Sequence, residues 1–285
     1  MRSAAPSSTS VASRPRGAAR QSPDRVVVLN DFSMARGGAT GVALASVDLL
    51  HDHGVAVTLI SGDQATDTER KTISIDRVAI GGTHITAASP AAAATRGLYN
   101  ASAASMVSNW IGAHDTPRTI YHLHGWSKIL SPSVFRALRT VAPRLVINAH
   151  DFFLACPNGG YFNFQRSEPC KLKPMGLQCV FTSCDRRSYT HKLWRCARQS
   201  LRAALFDLRT AGAVLAVHDG MIPHLVSGGV PRERLRVIRN PVMPWRRARL
   251  QRNAIEPSYS SAGSMRTRES ICWHAPRDRP EFRCA

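Results

Sequence analysis

The chain has 285 residues, a net charge of +19 and 44% hydrophobic residues, which suits one or two globular domains with a substantial core. No apolar run approaches the ~20 residues that a membrane-crossing helix needs, which argues against a helical integral membrane protein. The basic excess suits an anionic substrate, an anionic membrane surface or nucleic acid, or is simply a solvated surface.

Residues 1–24 carry four Arg against one acid and no continuous apolar segment, so a disordered basic leader is expected rather than a signal peptide. From Arg25 the pattern becomes regular. Val26, Val27, Val28 and Leu29 read as a buried strand, followed by Asn30, Asp31 and the loop Arg36-Gly37-Gly38-Ala39-Thr40-Gly41. A helix is expected over 42–50 with Gly54 as its stop, then a strand over 55–60. This strand–loop–helix–strand unit is a βαβ signature, and its right-handed crossover places the Gly-rich loop at the carboxyl edge of a sheet.

The alternation continues with a strand over 72–80, one small-residue helix over 91–111, a strand over 119–124, a helix over 131–141 and a strand over 145–149. Residues 156–190 form a long polar insertion bearing cysteines. A helix over 191–209, a strand over 213–217, a short helix over 221–227 and a last strand over 235–238 lead to Asn240-Pro241. Strands alternating with helices predict an α/β fold: a single Rossmann-like, doubly wound parallel sheet spanning 25–242, with disordered termini. After Val242 the periodicity fades, and 243–285 does not read as a domain.

The stretch 144–160 carries the clearest chemistry. A short apolar run ends in His150-Asp151 and then in a turn with Cys156, Pro157, Asn158, Gly159 and Gly160. A buried parallel strand that delivers polar side chains to its carboxyl end is where open α/β sheets hold ligands. His can carry a proton or donate to a sugar or phosphate, and Asp can fix its tautomer or bind hydroxyls. The neighbouring strand ends in His122-Leu123-His124-Gly125-Trp126. Alternation puts His122 and His124 on one face, with His124 at the strand end as the candidate ligand-facing residue and His122 as a hydrogen-bonded core residue. Gly37 and Gly38 let backbone N–H groups approach an anion at a helix N-terminus.

Cys156, Cys170, Cys179 and Cys184 follow at intervals of 13, 8 and 4 residues. Four thiols in a polar insertion could hold a structural zinc that lets a loop with little core fold; unligated thiols are the other reading. Seven cysteines without a secretion signal indicate a reducing compartment, hence a cytoplasmic location. Lys171, Lys173, Arg186, Arg187, Lys192, Arg195 and Arg198 cluster around the insertion. With Tyr161, Phe162 and Phe164 nearby, nucleic-acid binding is one reading. The aromatics precede the charges rather than interleave with them, and an anionic lipid surface or a pyrophosphate-bearing acceptor explains the cluster as well.

Together the opening strand with Gly37-Gly38, the His122-Leu-His124-Gly strand end, the His150-Asp151-Phe-Phe-Leu-Ala-Cys-Pro segment and the closing Val237-Ile238-Arg239-Asn240-Pro241-Val242 resemble the amino-terminal half of family 4 glycosyltransferases, which have the two-domain GT-B fold. The resemblance covers about residues 25–242. It implies transfer of a sugar from a UDP- or GDP-sugar to a glycan or lipid-linked acceptor, with retention and no essential metal cofactor, in bacterial polysaccharide or glycolipid assembly. By motif match Gly37 and Gly38 approach the donor diphosphate and His124, as the catalytic residue, faces the transferred sugar. Gly125, Trp126, His150, Asp151 and Asn158 line the substrate cleft. Peripheral contact with the inner face of an anionic membrane is expected; nucleic acid is not an expected partner. In that family the strand over 213–217 usually leads into a Ser, where this chain has His218-Asp219.

The second domain of that family, which carries the paired-Glu motif for the nucleotide-sugar, does not read in 243–285. Shifting the codon frame, with permitted wobble bases, lets 260–265 read Phe-Gly-Gly-Leu-Asp-Ala and 268–275 read Gly-Val-Asp-Leu-Leu-Ala-Arg. That resembles the first strand and helix beyond the family's hinge. A frameshift between about residues 244 and 256 is therefore expected, leaving a non-native tail and a chain with little activity alone. An intact alternative frame in the genomic DNA past codon 242 tests it.

Two other classes compete with this reading. A metal-stabilised basic α/β module would bind random DNA in a salt-dependent way. An oxidoreductase built on the first βαβ unit is disfavoured: G-x-G-x-x-G is missing, and Ser61-Gly62 follow the second strand where an acid is needed.

Overall fold

Four consecutive branched apolar residues can be buried on alternating sides of one strand, and β1 (Arg25–Asn30) does this. Val27 and Leu29 enter one hydrophobic core, Val26 and Val28 the other. A strand buried on both faces belongs at the centre of a parallel sheet. The computed structural model describes residues 22–64, 75–82, 84 and 89–241, all within a compact unit that runs to Pro241. The leader as far as residue 21, residues 72–74 of the third predicted strand, and the tail with its frameshift expectation lie outside the described residues.

After β1 come α1 (Gly38–Asp52), β2 (Ala56–Ser61), β3 (Asp76–Ala79), α2 (Pro90–Leu98), α3 (Ala101–His114) and β4 (Thr119–Leu123). Then follow α4 (Ser133–Leu138), β5 (Leu145–Ala149), a two-residue hairpin β6 (Phe162–Asn163) and β7 (Glu168–Pro169), α5 (Leu177–Phe181) and α6 (Tyr189–Leu205). The unit closes with β8 (Ala213–Ala216), α7 (Met221–Ser227) and β9 (Leu235–Val237). Seven strands form one parallel sheet in the order β3-β2-β1-β4-β5-β8-β9. The chain winds outward through β2 and β3, then returns to place β4 on the other side of β1. That reversal opens a crevice outside the carboxyl ends of β1 and β4, the usual ligand position in such sheets.

The expected helix over 91–111 is two helices. Tyr99 is extended (φ −144°, ψ 109°), and the Asn100 carboxamide caps α3 by accepting the Ala103 N–H at 3.2 Å. Asn100 also donates through Nδ2 to the Ile129 carbonyl (2.9 Å), and its backbone N–H goes to Ser131 Oγ (2.9 Å). These bonds to the loop after β4 outweigh the continuity of a small-residue helix, because an Asn offers the backbone a local alternative. Gly54, at φ +74°, stops α1 as expected.

Candidate functional site

The crevice holds a cleft of about 150 Å³ lined from three strand ends. Asn30 ends β1, with Asp31 and Phe32 after it; His124, Gly125, Trp126, Ser127 and Lys128 follow β4; Asn148 stands on β5, with His150, Asp151 and Phe153 after it, and Arg36 and Thr40 come from the Gly-rich loop and α1.

Asp31 organises the loop after β4. Its Oδ2 accepts the Lys128 N–H (2.8 Å), and its Oδ1 accepts those of Ile129 (2.8 Å) and Leu130 (2.9 Å). Burial raises the Asp31 carboxyl above the usual carboxylate range, while the three amide donors and the Arg198 guanidinium oppose that rise. Close by, a Cβ on Gly125 would run into the Asn30 carboxamide oxygen, so the chain passes β1 at this point only as glycine. Asn30 Nδ2 in turn donates to the Phe32 carbonyl at 2.8 Å.

The chemically distinctive feature is a chain of three imidazoles. His124 Nε2 stands 3.2 Å from His122 Nδ1, and His124 Nδ1 stands 3.0 Å from His150 Nε2. Asn148 Nδ2 lies 3.4 Å from the same Nδ1. Burial lowers all three rings: His122 to about 4, His124 to about 2 and His150 to about 4, with neighbouring imidazoles adding to the first two. All three are therefore neutral near pH 7, acting as hydrogen-bond donors and acceptors rather than as cations. Both nitrogens of His124 are engaged by other rings, whereas His150 lies half-buried at the cleft. At the other end, His122 Nε2 is buried without a partner among the described residues.

The helix α6 braces this site from behind. Arg198, buried, donates to the Ser127 carbonyl at 2.9 Å and lies over the rings of Trp126 (5.1 Å) and Phe153 (5.8 Å). Burial lowers its guanidinium to about 10. Gln199 Nε2 and Arg202 Nη2 both donate to the Leu154 carbonyl, at 3.0 and 3.1 Å. Arg195 pairs with buried Asp185 at 2.7 Å. The basic cluster read around the insertion is thus divided. Lys171, Lys173, Arg186 and Arg187 are exposed, but Lys192 and Arg198 point into the protein.

The structure brings His124, Gly125, Trp126, His150 and Asp151 together at the cleft. Trp126 is mostly packed, edge-on to Phe135 at 5.1 Å. Asp151 Oδ1 accepts the Phe153 N–H at 3.0 Å, shaping its own turn. Gly37 (φ +106°) and Gly38 flank the cleft at the start of α1, both exposed, with open space where a Cβ would stand. Asn158 is elsewhere. Its buried carboxamide accepts from Cys156 Sγ (3.1 Å) and Gly160 N (2.9 Å) and donates to the Phe162 carbonyl (2.8 Å), so it ties the insertion together. At the end of β8, His218 Nδ1 accepts the Gly220 N–H (2.9 Å) and Asp219 pairs with Arg239 (3.2 Å).

Of the candidate metal cysteines, Cys156, Cys179 and Cys184 are buried and Cys170 is half-buried. Among the described residues no group of three or more His, Cys, Asp or Glu stands ready to hold a metal ion. Instead the ammonium of fully buried Lys192 lies 3.3 Å from both Cys179 Sγ and Cys184 Sγ. Asp31, Asn148 and Lys128 are site residues that the sequence reading did not single out, and Arg198 it read only as part of a basic surface. The signal for Asp31 was present: Asn30-Asp31 ends its strand as His150-Asp151 ends its own.

A parallel sheet flanked by helices, with a polar, imidazole-lined crevice at its switch point, defines a Rossmann-like α/β domain. The model of Glycosyltransferase Family 4 matches residues 36–246, more than half of the chain. The chain belongs to that family, and its α/β unit is a glycosyltransferase-family domain. No curated protein and no solved structure matches it. Among the described residues no helix is long and apolar enough to cross a membrane.

Proposed function

We propose that the crevice is the acceptor-side wall of a retaining sugar transferase. It takes a sugar from a UDP- or GDP-linked donor and passes it to a hydroxyl of a glycan or lipid-linked acceptor in bacterial polysaccharide or glycolipid assembly. The observation that carries this reading is the three-imidazole chain ending at the cleft of a domain of this family. A bare ring nitrogen is less costly to bury unpaired than an N–H. Leaving His122 Nε2 bare, and turning the Asn148 carboxamide so that its otherwise unpartnered Oδ1 faces His124 Nδ1, makes His122 donate to His124 and His124 donate to His150, so that His150 Nδ1 carries an N–H at the half-buried end. In this reading His150 donates to an oxygen of the sugar, and His124 is a positioning residue that fixes the tautomer of His150. Gly37 and Gly38, open at the start of α1, suit the donor diphosphate through backbone N–H groups. Arg36 and Lys128 add positive charge at the cleft.

The test is label transfer from UDP-[14C]glucose and GDP-[14C]mannose into a bacterial membrane extract. It uses the chain as it stands and the chain mixed with the polypeptide read from the shifted frame. Incorporation in either sample that falls ~100-fold in His150→Ala supports the proposal. For His124→Asn a shifted pH profile is expected along with the loss of rate, as befits a positioning role. No incorporation in either sample, or incorporation indifferent to His150, overturns it.

A further inference from the structure

The short helix α5 is amphipathic the wrong way round for a globular surface. Cys179 faces inward and is buried, whereas Leu177 is 78% and Phe181 74% exposed. These two residues, four apart, lie on one face of the helix. Phe164, in the hairpin loop of the insertion, is also exposed, with the Arg186 guanidinium over its ring at 5.8 Å. Isolated exposed hydrophobes need no explanation, but a helical face that presents only Leu and Phe to solvent does.

The unpaired charge of the segment that carries this face has one sign. Between residues 161 and 200 the acids are Glu168 and Asp185, and each is already paired with an arginine, Arg166 and Arg195 respectively. Lys171, Lys173, Arg186 and Arg187 remain exposed without an acidic partner among the described residues. Exposed apolar tips in a segment whose unpaired charges are all cations suit the layering of an anionic bilayer, with acyl chains below charged head groups. Nucleic acid would use the cations but leave the aliphatic Leu177 without a role.

The face is mechanically joined to the cleft. Tyr189 at the start of α6 donates to the Val180 carbonyl on α5 (3.3 Å), and Arg198 on the same helix donates to Ser127 beside the cleft (2.9 Å). Trp194 links α6 to α2 through the Ala94 carbonyl (3.0 Å). We propose that Leu177 and Phe181, with Lys171, Lys173, Arg186 and Arg187, dock this domain on a bilayer rich in anionic phospholipid, so that α6 holds the cleft at a fixed height over the membrane. The implication that the acceptor is membrane-borne rests on the sugar-transfer reading; the docking itself does not.

Co-sedimentation of the full chain with phosphatidylcholine vesicles, with and without phosphatidylglycerol, tests the docking without any sugar donor. Binding is expected only with phosphatidylglycerol. Leu177→Ser/Phe181→Ser, which removes no charge and so leaves the rest of the basic chain untouched, should weaken it by ~10-fold or more. Arg186→Ala/Arg187→Ala should weaken it on the order of 10-fold and flatten its salt dependence. On the same vesicles, Phe181→Trp should add to the wild-type fluorescence a component that shifts to the blue and is quenched by brominated lipid. That reports insertion whatever the stability of the other variants. Absence of wild-type binding, equal binding by the Leu177/Phe181 variant, or an unshifted added fluorescence in Phe181→Trp overturns the proposal. So does a patch-dependent dimer or patch-dependent binding to random duplex DNA in place of vesicle binding.

Discussion

Lowering the pH from 7 to 5 should destabilise this domain through its imidazole chain. In the unfolded chain a histidine titrates near 6.5. In the fold, burial holds His122 near 4 and His124 near 2. The folded state therefore binds fewer protons than the unfolded one across that window. Stability from these rings is fully present above about pH 6.5, and it is lost as the pH falls through the unfolded value toward the folded ones. At pH 5 each of the two rings costs ~2 kcal/mol relative to pH 7, or ~4 kcal/mol together, because each unfolded ring is almost fully protonated while its folded counterpart is not. For a domain of this size that corresponds to a fall in melting temperature of about 10 °C, beyond what the carboxylates contribute. Urea unfolding at pH 7, 6 and 5 measures it, and His122→Gln/His124→Gln supplies the reference. NMR titration of the imidazole protons gives the same answer without unfolding. If the unfolding free energy changes by less than ~1 kcal/mol between pH 7 and 5, or if the double variant keeps the full pH dependence, the neutral-chain argument fails.

Three further outcomes follow from the geometry of the site. Asp31→Ala strands three N–H groups, two of them buried, and should cost ~3 kcal/mol or more, with Asp31→Asn intermediate, read as urea unfolding and as faster amide exchange at Lys128, Ile129 and Leu130. Gly125→Ala should cost ~1–3 kcal/mol because its Cβ meets the Asn30 carboxamide, whereas Gly38→Ala, with open space, should leave the melting temperature within about a degree. Lys192→Met fills the same volume without a buried charge and should unfold at or above the wild-type temperature, while Lys192→Ala loses ~2–5 kcal/mol to a cavity. A large loss in Lys192→Met would show instead that the contacts of the ammonium with Cys179 Sγ and Cys184 Sγ outweigh the cost of burying it.

The elements that sequence made legible are those whose pattern is local. The run 145–149 is a strand with the expected bounds, and 221–227 a helix with the expected bounds, because a continuous apolar stretch or a short periodic one ending at Gly228 needs no distant partner to be read. The break at Tyr99 and Asn100 was not legible. It depends on Ile129 and Ser131, about 30 residues away, which take up the Asn100 amides. The same holds for the insertion. Its cysteine spacing suggests a ligand set, but the spacing does not reveal that a lysine on α6 reaches between Cys179 and Cys184.

The basic residues of α6 show most directly why site chemistry is harder to read than fold. Lys192 and Arg198 look, in sequence, like part of a basic surface, and Arg202 follows Arg198 one helical turn on. They are buried because each finds a specific acceptor: two sulfurs, the Ser127 carbonyl and the Leu154 carbonyl. Arg198 adds aromatic faces on three sides, Trp126, Phe153 and Trp194. A guanidinium is weakly hydrated and stacks on rings, so the cost of burying it is offset by planar contacts that an ammonium could not make. The same reasoning separates the two histidines that the sequence placed at adjacent strand edges. His124 sits at its strand end as expected, yet both of its nitrogens go to other imidazoles, and the cleft-lining ring that keeps a nitrogen for a ligand is His150. Strand alternation shows which residues share a face. Which of them meets a ligand depends on hydrogen bonds between strands, and a single sequence does not contain those.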